Sequence, residues 1–155
     1  MKIIPSSIPG VNGRKEFERF EALMRDVASG FAPAGAIVEV NLIGERRMAG
    51  LNRKYRDRRG ATEILTFSYA GEHGGWHGVE SPIGEIYFCW RKLAIGAEER
   101  GVTKKAYLLR LLVHGLCHLK GYRHRDGDET GRMEKVERRY LAGHVSKRQI
   151  EVLFA

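Results

Sequence analysis

One stretch in the second half of the chain predicts a helix with apolar side chains around nearly its whole circumference. The rest of the chain must fold so that this helix is buried. Thr103 is a favourable helix N-cap and Gly121 a favourable stop, so the pattern predicts a helix that ends near Lys120. Its apolar side chains are Leu108, Leu109, Leu111, Leu112, Val113, Leu116 and Leu119. A helix that is apolar on every side is buried, so we expect the rest of the chain to surround it.

The remaining hydrophobic patterns place strands in the first half of the chain and helices mainly in the second. Alternating or continuous apolar runs predict strands over residues 37–43, 63–67 and 84–90, the last being central because it is weakly polar. Helical spacing predicts helices over residues 13–29, 92–100 and 127–141, and a short one marked by Met48, Leu51 and Tyr55. This order is typical of an α+β fold, and 155 residues suit a single domain spanning residues 1–155.

Composition excludes several classes of protein. Lysine and arginine total 27 against 19 acidic residues, a net charge of +8 that suits either a polyanionic partner or a merely well-solvated surface. No run approaches the roughly 18 apolar residues of a membrane span, and Pro5 interrupts the start too early for a signal-peptide core. With only Cys89 and Cys117, the chain is no disulfide scaffold. Because no export signal is recognised, we expect reduced thiols and a cytoplasmic location, and because no apolar run is long enough, we expect no membrane partner.

The apolar helix also carries a histidine pattern that is typical of a metal site. His114 and His118 are four residues apart and therefore lie on one helix face, and His124 follows the stop at Gly121. The run reads H-x-x-x-H-x-x-G-x-x-H, which is the ligand spacing of metzincin zinc sites. Three nitrogen ligands leave an open position that suits catalysis, because a bound zinc ion lowers the pKa of water and polarises phosphoryl oxygens. The alternative is a set of core histidines that are satisfied by separate hydrogen-bond partners.

One departure from the metzincin pattern bears on the reaction. Metalloproteases of the H-E-x-x-H type need a glutamate after the first ligand as general base, and Gly115 occupies that position. A peptidase reaction by that route therefore lacks its proton acceptor. A structural zinc site closed by Cys89 or Cys117 is a further alternative, although Cys117 lies about 100° round the helix from His118.

A basic segment precedes the second predicted strand. Its five cations in seven residues are Arg53, Lys54, Arg56, Arg58 and Arg59. Alone, the segment could be a solvated charged face, but beside a metal site its guanidinium groups are suited to phosphate. Lys120, Arg123 and Arg125 add charge around His124, so we predict that all eight cations contact a phosphate-bearing polyanion.

These motifs together resemble the YbeY endoribonuclease family. The resemblance spans roughly residues 36–141 and rests on residues 52–56, 62–67, 84–86 and 114–124, with Met133 and Glu137 downstream. It implies a mixed sheet of about four strands packed with about five helices, and a zinc site at the end of a buried helix. Two departures are Arg123, where the family has aspartate, and residues 58–61, where it has a lysine-aspartate-x-proline turn.

The resemblance also implies a function. It is that of a zinc-dependent, single-strand-specific endoribonuclease that acts in 16S rRNA 3′-end maturation and ribosome quality control. His114, His118 and His124 would hold one Zn²⁺ per chain, and Arg56 would be the functional arginine beside them. The implied partners are single-stranded RNA or rRNA, the small ribosomal subunit, and an assembly GTPase or ribosomal protein.

Two other functions and one further metal site remain as alternatives. The chain could be a non-catalytic rRNA-binding assembly factor with a structural zinc, or a metzincin-like metallopeptidase with an unusual base. His73 and His77 are also four residues apart, but surrounding glycines favour a surface loop over a second metal site. In that loop, Trp76 could stack on a base.

Overall fold

A mixed β-sheet forms the centre of the fold. The computed structural model describes residues 1–69, 81–122 and 126–155. Its strands are β1 (Lys2–Ser7), β2 (Ala36–Ile43), β3 (Ile64–Ser68) and β4 (Ser81–Cys89). They lie in the order β1-β2-β4-β3, where β1 and β4 run parallel to β2 and β3 runs antiparallel to β4. The expected α+β class and four-stranded mixed sheet are therefore confirmed.

The three strands predicted from the hydrophobic pattern are present, and β4 is central as expected. Strand β4 ends one residue early because Trp90 begins the next helix. Strand β1 was not predicted, since Pro5 interrupts its short apolar run. Proline is tolerated there because β1 is an edge strand, where the missing N–H costs no ladder hydrogen bond.

Seven helices are present in the described residues, where about five were expected. They are α1 (Arg14–Arg19), α2 (Glu21–Ser29), α3 (Glu45–Arg56), α4 (Trp90–Arg100), α5 (Lys104–Leu119), α6 (Gly127–Leu141) and α7 (Lys147–Leu153). The predicted helix over residues 13–29 is divided at Phe20, whose φ of −95° and ψ of 0° lie outside the helical values. Helix α7 is only seven residues long, too short for a clear hydrophobic period, and is capped by the Ser146 hydroxyl.

Helix α5 is the buried helix that the sequence predicts. The Thr103 hydroxyl accepts a hydrogen bond from the Ala106 amide at 3.1 Å, and Gly121 has a φ of +107° just beyond the other end. Ten of its residues are buried, namely Ala106, Tyr107, Leu108, Leu109, Leu112, Val113, Gly115, Leu116, Cys117 and Leu119. It packs on strands β3 and β4 and on helices α2, α4, α6 and α7. The main hydrophobic core therefore surrounds α5.

The opposite face of the sheet carries a smaller apolar cluster beneath α3. Its buried members are Ile43, Met48, Leu65 and Cys89. The sheet is thus bordered by α5 on one face and α3 on the other, and the C-terminal halves of both helices approach edge strand β3. None of the described helices is long and apolar enough to cross a membrane.

The close approach of α5 to the sheet predicts the effect of one substitution. A methyl group at Gly84 would lie 2.4 Å from the Phe67 carbonyl oxygen and 2.5 Å from Leu119 Cδ2. We expect Gly84→Ala to lower the free energy of unfolding by about 1–3 kcal/mol, because the strand or the helix must move. Urea denaturation measures this change.

Gly50→Ala is the matched control. Gly50 lies within α3, and a methyl group there would meet nothing within 4 Å. It should raise the free energy of unfolding by about 0.5–1 kcal/mol through helix propensity. Equal stabilities for the two variants would contradict the packing described.

Candidate functional site

Two histidine side chains converge at the C-terminal end of α5. The Nε2 atoms of His114 and His118 are 3.0 Å apart, and the two rings are nearly perpendicular with centroids separated by 4.6 Å. Both side chains are half-buried. The four-residue spacing on one helix face therefore brings the two imidazoles together, as the sequence predicts.

The other ring nitrogens of this pair contact oxygen acceptors. His114 Nδ1 lies 2.6 Å from a Glu137 carboxylate oxygen, and His118 Nδ1 lies 2.9 Å from the Tyr122 carbonyl oxygen. A ring nitrogen that faces a carbonyl or a carboxylate must donate, so we assign the proton to Nδ1 in both rings. In the neutral rings each Nε2 then carries a lone pair, and two lone pairs at this distance favour a cation between them.

This geometry fits a metal ion. Tetrahedral zinc with nitrogen ligands at about 2.0–2.1 Å places those nitrogens about 3.3–3.4 Å apart, close to the separation found here. His124, the third predicted ligand, lies outside the described residues. Within the part of the chain that the structure describes, no three or more histidine, cysteine or acidic side chains cluster around one point. The described residues therefore supply two of the three predicted ligands.

Neither cysteine is placed to complete the metal site. Cys117 is fully buried in the main core, and burial raises the pKa of its thiol to about 12. Cys89 is buried in the cluster beneath α3. A thiol in such surroundings is a poor source of the thiolate that zinc requires, which disfavours a structural site closed by cysteine.

The histidine pair opens into a cleft of about 850 Å³ beside edge strand β3. We call it the histidine–arginine cleft. Its lining residues are Asn52, Arg56, Arg58, Arg59, Ala61, Thr62, Ile64, Leu65, His114 and His118. The fold thus joins the basic segment, which spans the last turn of α3 and the turn after it, to the imidazoles at the end of α5.

Asn52 organises the turn that carries the arginines. Its buried side-chain amide donates to the Gly60 carbonyl oxygen at 2.9 Å, and its own carbonyl accepts from the Asp57 and Arg58 amides. Asp57 ends α3 in the left-handed conformation with a φ of +53°. Asn52 belongs to the motif that resembles the family, but no sequence pattern indicates this structural role.

Arg56 is fixed on the edge of the sheet. One terminal nitrogen donates to the Thr66 carbonyl oxygen at 2.7 Å and the other to the Tyr55 carbonyl oxygen at 3.3 Å. The guanidinium carbon lies 5.0 Å from the centre of the Phe67 ring. Because a guanidinium has five N–H donors, it can hold both carbonyls and still donate into the cleft.

Three other predicted RNA contacts, Arg53, Lys54 and Lys120, lie outside the histidine–arginine cleft. Arg53 and Lys54 lie on the last turn of α3 but do not line the cleft. Lys120 lines a separate depression with Tyr122, and its ammonium lies 5.8 Å from the centre of a core phenylalanine ring. The predictions for Arg123, Arg125, His73, Trp76 and His77 all fall outside the described residues.

Gly115 faces the sheet at the position where a metalloprotease carries its glutamate. A methyl group there would lie 3.0 Å from Ile86 Cδ1 and 3.1 Å from the Thr66 hydroxyl oxygen. A longer side chain would therefore point into packed residues of β3 and β4. The sequence lacks the glutamate base, and the fold leaves little room for one.

These features define an α+β protein in which paired imidazoles at the end of a buried helix open into an arginine-lined cleft. The family model described as Endoribonuclease YbeY matches residues 12–144. The chain therefore belongs to the Endoribonuclease YbeY family, and the resemblance noted from its motifs is confirmed.

Relatives named Endoribonuclease YbeY are similar over most of this chain. The protein from Maricaulis maris is 36% identical over 106 residues, which are 68% of this chain but 62% of that protein. The protein from Aromatoleum aromaticum is 36% identical over 121 residues, 78% of this chain and 74% of that one. The protein from Polynucleobacter asymbioticus is 28% identical over 134 residues, covering 86% and 83% respectively.

One solved structure has a similar fold. The solution structure of TM1509 from Thermotoga maritima superposes with a TM-score of 0.52 and covers 93% of this chain and 97% of that one. The two sequences are 23% identical. This likeness supports the fold alone.

The packing around Gly115 predicts that a metalloprotease-type glutamate cannot be accommodated. We expect Gly115→Glu to lower the free energy of unfolding by about 3 kcal/mol, since it forces a carboxylate among apolar side chains. Thermal denaturation of the variant beside the wild-type protein measures the loss. A variant as stable as wild type would show that position 115 has room for a glutamate side chain, and would support the peptidase alternative.

Proposed function

We propose that this protein is a zinc-dependent endoribonuclease that cleaves single-stranded RNA and acts in 16S rRNA 3′-end maturation and ribosome quality control. The observation that carries the proposal is the histidine–arginine cleft, which joins two converging imidazoles to Arg56, Arg58 and Arg59. A metal site beside guanidinium groups is suited to a phosphodiester, whose charge it can neutralise. The names of the similar proteins support the same reaction.

His114 and His118, together with His124, would hold one zinc ion. Their assigned tautomers present Nε2 of the two described rings as acceptors, which is the protonation state that ligation requires. A zinc ion supplies Lewis acidity when bound: it lowers the pKa of water and polarises a phosphoryl oxygen. The chain's own part is to hold the two imidazoles in place through their Nδ1 contacts.

Arg56 would stabilise the charge that develops on the scissile phosphate. Its two carbonyl contacts and its contact with the Phe67 ring fix the guanidinium before any substrate arrives. A preorganised donor of this kind stabilises a transition state more than a mobile one, because little reorganisation accompanies the reaction. Arg58 and Arg59 would bind neighbouring phosphates from the same cleft.

An aromatic surface beside Arg56 favours single-stranded RNA. Tyr55 is 51% exposed, and its ring meets the Phe67 ring edge-on, with centroids 5.2 Å apart. Unpaired bases stack on such exposed rings regardless of sequence, whereas paired bases are already stacked. Arg53, Lys54, Lys120, Arg123 and Arg125 would add weaker contacts along the RNA backbone.

The cellular context in this proposal comes from the family resemblance. We infer that the protein acts in the cytoplasm on the small ribosomal subunit, with an assembly GTPase or a ribosomal protein as partner. The net charge of +8 is consistent with a ribosomal RNA substrate.

The two other candidate functions are less well supported. A peptidase that bound its substrate as an added strand would use the open edge of β3, but Arg56 already binds the Thr66 carbonyl there. Gly115 leaves that peptidase without its base. A non-catalytic assembly factor with a structural zinc would favour a closed ligand set, whereas the histidine pair opens into a cleft.

The proposal predicts the outcome of an RNA cleavage assay. The zinc-loaded protein should cut a fluorescently labelled single-stranded RNA, and His118→Ala should reduce cleavage to background because it removes a ligand. Arg56→Ala should slow cleavage by about 10²–10³-fold with a smaller effect on binding, as expected when a transition-state donor is lost. Single-turnover rates and binding isotherms separate the two effects.

His144→Ala and Arg25→Ala are matched controls. His144 lies 3.8 Å from Asp26, Arg25 pairs with Glu21 on α2, and neither residue lines the cleft. Both variants should cut RNA at rates within about two-fold of wild type. Equal rates for His118→Ala and His144→Ala would refute the mechanism. RNA binding without cleavage by zinc-loaded wild type would instead favour the assembly factor, and cleavage of a peptide library would favour the peptidase.

A further inference from the structure

We infer that Glu137 is a positioning residue that fixes the tautomer and orientation of His114, and that Arg110 holds Glu137 in place from the C-terminal helix. The inference rests on the proposed metal site. Glu137 belongs to the downstream motif that resembles the family, and that motif alone assigns it no role. In the fold its side chain is only 3% exposed, although it belongs to α6 and His114 belongs to α5.

Each oxygen of the Glu137 carboxylate has its own donor. One oxygen lies 2.6 Å from His114 Nδ1, and the other accepts from Arg110 Nε at 3.0 Å. Arg110 and His114 are four residues apart on α5, so both donors face α6 from successive turns. A buried carboxylate is costly without a counter-charge, and Arg110 supplies one while leaving the first oxygen for the imidazole.

Arg110 is in turn fixed by the end of the chain. One of its terminal nitrogens donates to the Leu153 carbonyl oxygen at 2.9 Å, and its guanidinium carbon lies 4.1 Å from the centre of the Phe154 ring. Helix α7 thus contacts Arg110, Arg110 contacts Glu137, and Glu137 contacts His114. The C-terminal segment therefore supports the His114 imidazole through Arg110 and Glu137.

The two histidines are therefore not equivalent. The Nδ1 partner of His114 is a carboxylate, whereas that of His118 is the neutral Tyr122 carbonyl. A carboxylate acceptor increases the electron density at Nε2 and restricts rotation of the ring, and loss of such a partner costs about 10–100-fold in metal affinity. Because of Glu137, His114 is thus the stronger electron-pair donor to a metal ion of the two histidines.

Zinc affinity of the full-length chain, measured by competition with a chromophoric chelator, tests this role. Glu137→Gln should bind zinc about 10–100-fold more weakly than wild type, because glutamine loses the charge and cannot accept from both neighbours at once. Arg110→Met should weaken binding by a smaller factor, since the carboxylate remains. Glu134→Gln is the matched control: Glu134 lies on the same helix, is 39% exposed and pairs with Arg138, so zinc affinity should not change.

A second measurement needs no variant. Nitrogen NMR of metal-free wild type should find the His114 proton on Nδ1. A proton on Nε2 would overturn the inference, as would a well-folded Glu137→Gln protein with wild-type zinc affinity. A wild-type protein that binds zinc but cuts no RNA would overturn the proposed function instead. In that case, weaker zinc binding by Glu137→Gln would still support the positioning role.

Discussion

The other helices and strands are arranged around the packing of α5 against the sheet. Gly84 on β4 and Gly115 on α5 let the helix and the strands approach at distances that a side chain would block. Because ten of the sixteen residues of α5 are buried, strands and helices enclose most of the helix. Its histidines then emerge only where α5 reaches edge strand β3. The site is thus a consequence of how the core is packed.

Around this point the structure separates two electrostatic environments. On the α6 side, a buried carboxylate contacts His114 and is balanced by Arg110. On the β3 side, Asn52 holds a turn whose arginines face the same imidazoles. On the α6 side, the carboxylate increases the electron density on an imidazole that would bind a cation. On the β3 side, the arginines present positive charge to an anion. This arrangement suits a metal that acts on phosphate.

Local patterns in the sequence predicted much of this, because they depend on residues close together in the chain. The all-round apolar helix, the three pattern-derived strands and the convergence of His114 and His118 follow from helical and strand periods. Strand β1 was missed because Pro5 interrupts its apolar run. Its position in the sheet depends on pairing with β2, which lies more than thirty residues away in the chain. Glu137 was recognised only as a motif position, since its contact with His114 forms when α6 packs on α5. The ligand role of His124 and the RNA contacts of Arg123 and Arg125 stay predictions.

The proposed function requires that the paired imidazoles hold a metal ion at the histidine–arginine cleft. Anomalous diffraction at the zinc edge, from crystals of the zinc-loaded protein, tests it most directly. We expect one peak per chain within about 2.1 Å of Nε2 of both His114 and His118, with His124 completing the ligand set. No peak between the two rings, or a peak at Cys89 or Cys117 instead, would contradict it.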